Sequence, residues 1–234
     1  MSSWRYTRCR LHPLLAVSGL LWMPVACPGE SVAATAKQSL PGAGLFAHAA
    51  VLELRIDIPP AELARLRQEP RTFVSASLSD GNRAYSNVAV HLKGSVGSFR
   101  PVDDKPSLTL DFCRFQNGQA FYGLRRIHLN NSLEDPSFLN EKIGSELFQA
   151  AGVPAPRVTH AQVDLNGRRL GLYVLKEGFT EDFLACHFQQ VGGDLYEPKD
   201  GHDVDQELKC RSVQAPRRGP APLKLLAETM KEHD

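Results

Sequence analysis

Between residues 93 and 112 the chain reads KGSVGSFRPVDDKPSLTLDF. Two glycines, two serines and then a lysine at the head of an alternating apolar run are residue types suited to phosphate. Gly94 and Gly97 lack a Cβ, so backbone N–H groups of Gly94, Ser95, Gly97 and Ser98 can come close to anionic oxygens. Lys105 would add a point charge. The pattern is not G-x-x-x-x-G-K-[ST] and so lacks the Walker arrangement. The competing reading is a long β-hairpin with a solvated tip, in which Lys105, followed by Pro106, is an edge lysine that discourages strand pairing.

Other constellations carry less chemistry. Asp200, Asp203 and Asp205 lie close together in DGHDVDQE, but their positions do not match a calcium loop, and the segment reads as a solvated acidic loop. Asn130-Asn131-Ser132 fits the N-glycosylation pattern, and His91 and His128 fall in strand patterns as ordinary sheet residues. The eight histidines are scattered and no C-x-x-C pair occurs, which leaves a structural zinc site unsupported. No G-x-S-x-G, H-E-x-x-H or ordered Cys/His pattern supports a secreted hydrolase.

The elements that must position these residues read as follows. VLELRIDI, TFVSASLS, NVAVHLK and SLTLDF alternate as half-buried strands, with DGNR as a hairpin turn. LRRIHLNN is a further strand with imperfect alternation. PPAELARLRQEP is a short helix with proline in its first turn. PSFLNEKIGSELFQAAG is the best helix, with Phe138, Ile143, Leu147 and Phe148 near one face and Gly152 to end it. RVTHAQVDL and RRLGLYVLKE flank Asn166-Gly167, a strong hairpin signal. A helix at TEDFLACHFQQ, a short strand DLYEP and a helical start at LKLLAETMKEHD follow. Strands with interspersed helices predict an α+β class with a mainly antiparallel sheet.

A hydrophobic content of 42% with 23% charged residues places the chain among globular proteins. Residues 1–36 have a basic start, a short apolar stretch and small residues ending in Ala34-Thr35-Ala36, the layout of a signal peptide. The apolar stretch falls short of the roughly 20 residues that a spanning helix needs. PVAC offers a rival reading, a lipoprotein signal with Cys27 lipidated. Residues 37–50 read as a linker and 51–234 as one domain. The net charge of +1 becomes about −1 once Arg5, Arg8, Arg10 and Glu30 leave, which argues against a nucleic-acid partner. Cys113, Cys186 and Cys210 then remain, enough for one bridge and one free thiol.

Taken in order, HLKGS, DKPSLTLDF, FYGLRRIHLNNSLEDPSFLNEKIGSELFQAAGVPAPR, VDLNGRRLGLYVLKEGFTEDFL and GDLYEP resemble the CotH family of atypical secreted kinases, over roughly residues 51 to 198. The resemblance implies a kinase-like nucleotide-binding lobe and serine phosphorylation of exported, coat or surface proteins, with ATP and Mg or Mn as cofactors. It implies that Gly94, Ser95, Gly97 and Ser98 cover the nucleotide, that Lys105 faces its phosphates, and that Glu141, or else Glu146, holds that lysine. Glu177 matches a strand-end glutamate near the hinge. The catalytic and metal-binding aspartates of the family lie downstream of this lobe, so the chain is expected to be an incomplete kinase. The alternative is a non-catalytic surface or adhesion module on the same scaffold.

Overall fold

The computed structural model describes residues 40–47, 51–95, 97–198, 202, 206, 208–210 and 221–231, and the account below concerns these. The elements are α1 (Ala43–Phe46), β1 (Leu52–Asp57), α2 (Pro60–Gln68), β2 (Val74–Ser79), β3 (Ala84–Lys93), β4 (Ser107–Asp111), β5 (Arg126–Asn130), α3 (Asn140–Ala150), β6 (Val158–Leu165), β7 (Arg168–Glu177), α4 (Glu181–His187), β8 (Tyr196–Glu197), β9 (Lys209–Cys210) and α5 (Ala221–Lys231).

Local chemistry accounts for most boundaries. Asp80 in DGNR accepts the N–H groups of Asn82 and Arg83 through Oδ1, which closes the β2–β3 turn. Asn166 and Gly167 both take positive φ, as a two-residue hairpin between β6 and β7 demands. Asn166 also exchanges two hydrogen bonds with the backbone of Ile58, so the same turn anchors the entry to α2.

Seven strands close in the order β1-β2-β3-β4-β5-β7-β6. All pairs are antiparallel except β1 with β6, a parallel ladder from Leu52–Ala161 to Ile56–Leu165 that shuts the barrel. The α+β class therefore stands, but the expected kinase-like nucleotide-binding lobe gives way to a closed barrel. The reason lies in β1. Its two sides pair with β2 and β6, leaving no edge strand in the sheet. The interior is packed by Leu54, Ile56, Leu78, Val90, Leu92, Leu110, Ile127, Leu129, Val163, Tyr173 and Leu175, each almost fully buried. Any ligand site must therefore lie outside this core.

α3 differs from expectation in two respects. α3 begins at Asn140 rather than Pro136, because the Asp135 carboxylate accepts the N–H groups of Ser137 and Asn140 and holds a turn ahead of the helix. The side that meets the barrel carries Ser145, whose hydroxyl donates to the Pro156 carbonyl. Ile143, Leu147 and Phe148 are more than half exposed. Apolar periodicity located the helix correctly, yet its polar side faces the protein. Gly152, at φ 76°, ends it as expected. Residues 41–46 pack against the barrel through Leu45, which is buried. Cys113, Cys186 and Cys210 are free thiols. No helix among the described residues is long and apolar enough to cross a membrane.

Candidate functional site

Side chains alternate along a strand, so the packed interior fixes what the outer surface carries. With Val90 and Leu92 inside, His91 and Lys93 of β3 point outward. By the same rule Ser107 and Thr109 of β4, His128 and Asn130 of β5, and Val174 and Lys176 of β7 share that outer face. Strand register then sets them in rows. His91 lies opposite Thr109, Thr109 opposite His128, and His128 opposite Lys176. In the next row Lys93 lies opposite Ser107 and Asn130 opposite Val174. The result is a half-buried polar strip on a barrel whose interior is apolar.

Three of these residues and Glu141 of α3 form one connected group. The Lys93 ammonium donates to Asn130 Oδ1 at 2.5 Å. Asn130 Nδ2 donates to both carboxylate oxygens of Glu141 at 2.6 and 2.8 Å, and Lys176 Nζ reaches Glu141 Oε2 at 3.2 Å. Burial pushes the Lys93 ammonium down to about 8. Glu141 opposes that shift, while the nearby charges of Lys176 and Arg71 reinforce it. Burial likewise holds His128 well below its ordinary value, with Lys93 and Arg126 adding to the effect, so its ring is neutral at pH 7. Beside this group lies a cleft of about 300 Å³ lined by Lys93, Gly94, Ser98, Asn130, Asn131, Asp135 and Glu141 among others, a volume at the lower end for small-molecule sites.

The glycine loop covers one wall of the cleft. Gly94 and Gly97 have φ of 107° and 90°, where a side chain would be strained. A Cβ at Gly94 would also come within 3.0 Å of the Phe99 backbone. Both glycines are thus required by the loop's own path. Ser95 N–H is taken by Ser98 Oγ at 3.2 Å. Asn131, 2% exposed, donates through Nδ2 to the carbonyls of Ser98 and Lys105, and its own N–H goes to Ser107 Oγ. One buried amide thereby ties the loop to β5.

Lys105 and Glu177 lie elsewhere. The Lys105 ammonium sits 4.9 Å from the Phe138 ring centroid and 5.2 Å from that of Tyr173, a cation–π arrangement over an inward-facing tyrosine, and burial lowers its pKa. It is absent from the cleft lining, and the partners of Glu141 are Asn130 and Lys176. Glu177 is fully buried and binds the Arg157 guanidinium through both oxygens, at 2.5 and 2.9 Å. Arg157 in turn donates to the Pro41 carbonyl and lies over the Phe46 ring, which fastens α1 to the barrel. Glu146 pairs with Lys142 on the exposed side of α3.

Of the residues that the sequence reading named, Gly94, Ser98 and Glu141 line this cleft, whereas Lys93, Asn130, Asn131 and Lys176 were not named for it. A signal existed for the two lysines: each follows a core leucine, in HLK and VLK, and so must point outward. Their meeting in one group, Lys176 on Glu141 and Lys93 on the Asn130 that Glu141 also holds, depends on cross-strand register. Among the described residues no group of three or more His, Cys, Asp or Glu side chains is placed to hold a metal ion. Asp200, Asp203 and Asp205, the signal region 1–36 and Cys27 lie outside the described residues.

Comparison with known proteins adds two findings. The family described as CotH kinase protein matches residues 90–221, more than half of the chain and the whole of the polar strip. The inner spore coat protein H of Bacillus subtilis (strain 168) is 35% identical over 101 residues, which is 41% of this chain and 28% of that protein. The aligned part thus spans little more than a quarter of that relative's length.

Proposed function

The chain belongs to the CotH kinase protein family, and on that premise we propose that the protein is an exported kinase that phosphorylates serines of secreted or surface proteins, using ATP with Mg or Mn. ATP, when bound, supplies the phosphoryl group. The residues of this chain bind and orient its phosphates at the outer face of the barrel.

Lys93 is the cation we assign to the phosphate oxygens, acting as a point charge from the wall of the cleft. Glu141 positions it through Asn130 and balances Lys176 directly. Backbone N–H groups of Gly94 and Ser98, the loop residues that line the cleft, come close to the same oxygens. Lys105 stands apart from this cleft, over the rings of Phe138 and Tyr173. The observation that carries this reading is Lys93: a largely buried lysine in the cleft wall, hydrogen-bonded to Asn130, with its lowering by burial to about 8 opposed by the charge of Glu141. Buried charge of this kind costs stability and concentrates at functional sites. The described residues offer no donor set that fits a divalent ion, and none of these roles depends on one.

A non-catalytic surface module remains the second reading, and the exposed apolar side of α3 favours it, because large uncovered apolar residues mark association surfaces. Transfer of labelled phosphate separates the two. Full-length protein is incubated with γ-labelled ATP, Mn and a serine-rich peptide. Lys93→Met is expected to lower incorporation by about 100-fold or more, as for loss of a main charge-stabilising group. Lys105→Ala is expected to stay within about tenfold of wild type, in line with a cation–π contact. Equal incorporation by wild type and Lys93→Met would overturn the assignment, and no ATP binding at all would favour the surface module.

A further inference from the structure

We propose that Arg71, in the turn between α2 and β2, is the positioning residue for Lys93 and the glycine loop, an inference that rests on the nucleotide reading of the cleft for its functional meaning. Arg71 is distant in sequence from every residue of the site. Its side chain nevertheless straddles Lys93. Nη1 donates to the Leu92 carbonyl at 3.1 Å, and Nη2 donates to the Gly94 carbonyl. One guanidinium therefore holds the carbonyls of the residues on either side of the lysine.

Two further contacts complete the grip. The Leu92 N–H donates to the carbonyl of Pro70, the residue preceding Arg71, at 2.8 Å. The Arg71 guanidinium carbon also stands 5.2 Å from the Phe99 ring centroid on the returning limb of the loop. Asn131 holds that limb from the other side, through the Ser98 carbonyl. The loop is thus clamped at both ends, and Arg71 is the clamp that also touches the backbone of the lysine strand. A planar fork suits this task in a way that a lysine would not, since two carbonyls and a ring must be met at once. Arg71 is itself exposed, so its removal opens no hole in the core.

A second effect runs through charge. Arg71 is among the groups that lower the Lys93 pKa, so its loss allows that ammonium to hold its proton to higher pH.

The test uses full-length protein with Arg71→Ala and Arg71→Lys, and has two readouts that need no nucleotide. Amide hydrogen exchange over 95–99 is expected to speed up by about tenfold or more in both variants, because both lose the fork. The pH dependence of Lys93 acetylation by acetic anhydride, read by mass spectrometry, is expected to move upward in Arg71→Ala and to stay nearer wild type in Arg71→Lys, which keeps the charge. In the phosphate-transfer assay kcat/KM for ATP is expected to fall by about 10- to 100-fold in both, the scale of a small misplacement of a binding group. Unchanged exchange and unchanged acetylation in Arg71→Ala would overturn the proposal. If wild type transfers no phosphate while the first two readouts respond, the clamp stands and the kinase reading falls.

Discussion

Lys176 and Glu177 are neighbours in sequence and face opposite sides of β7, and the two sides do different work. On the inner side Glu177 is sealed from water and matched by a single guanidinium in a bidentate pair. Every charge there has a fixed partner, and the pair fastens α1 to the barrel. On the outer side Lys176 shares Glu141 with Asn130, which also holds Lys93. The cleft beside them is lined by one cation, Lys93, and by the carboxylates of Glu134, Asp135 and Glu141. The inner pair is closed on itself, while the outer group is shared among Lys93, Asn130, Lys176 and Glu141 beside a cleft. Ionic groups are therefore told apart less by burial than by whether the arrangement is saturated.

The sharpest way to break this contrast is Glu177→Ala, which strands Arg157 without its partner. We expect a loss of about 3–5 kcal/mol, the cost of leaving one member of a buried pair unmatched. Urea unfolding would measure it, and a loss below about 1 kcal/mol would remove the distinction drawn between the two sides.

Lys93→Met should act in the opposite sense. Stability is expected to rise by about 1–2 kcal/mol as a buried charge is replaced by an apolar chain, while phosphate transfer is lost. A variant that is both less stable and fully active would place Lys93 with the fasteners. The pH profile sharpens the point. Lys93 titrates near 8 in the fold against an ordinary 10.5. Between those values the unfolded chain holds a proton that the folded one has released, so stability climbs with pH from about 8 to about 10.5, by at most about 3 kcal/mol. That rise should be absent from Lys93→Met.

His128 gives a comparable limb on the acid side. Its folded value lies well below 6.5, so the unfolded chain takes up the proton first and stability falls as pH drops below 6.5. His128→Asn should flatten that fall in thermal unfolding between pH 6.5 and 4. The smallest effect is expected from Lys105→Ala, about 0.5–2 kcal/mol from the loss of its two ring contacts.

Much of the fold was legible residue by residue. Alternation found every strand of the barrel, the Asn-Gly turn fixed the β6–β7 hairpin, and proline and glycine marked the ends of α2 and α3. Near the cleft the glycine loop was legible from residue type, and Glu141 was named only through the family resemblance, as a partner of Lys105. Lys105 was singled out because it precedes a strand; its ammonium lies over two rings, and Lys93 is the lysine in the cleft lining. Asn131 drew notice only as part of a glycosylation pattern, whereas its buried amide holds the loop.

The sequence by itself determined the elements, the turns that join them and the membership of the family, because these depend on spacing within a few residues. Only the tertiary structure decided the closure of the barrel, since the β1–β6 ladder joins segments more than a hundred residues apart. It also decided which lysine meets Glu141 and which side of α3 faces the protein. Those outcomes depend on register and packing between distant strands, where local periodicity says that a residue points outward but not what it will meet.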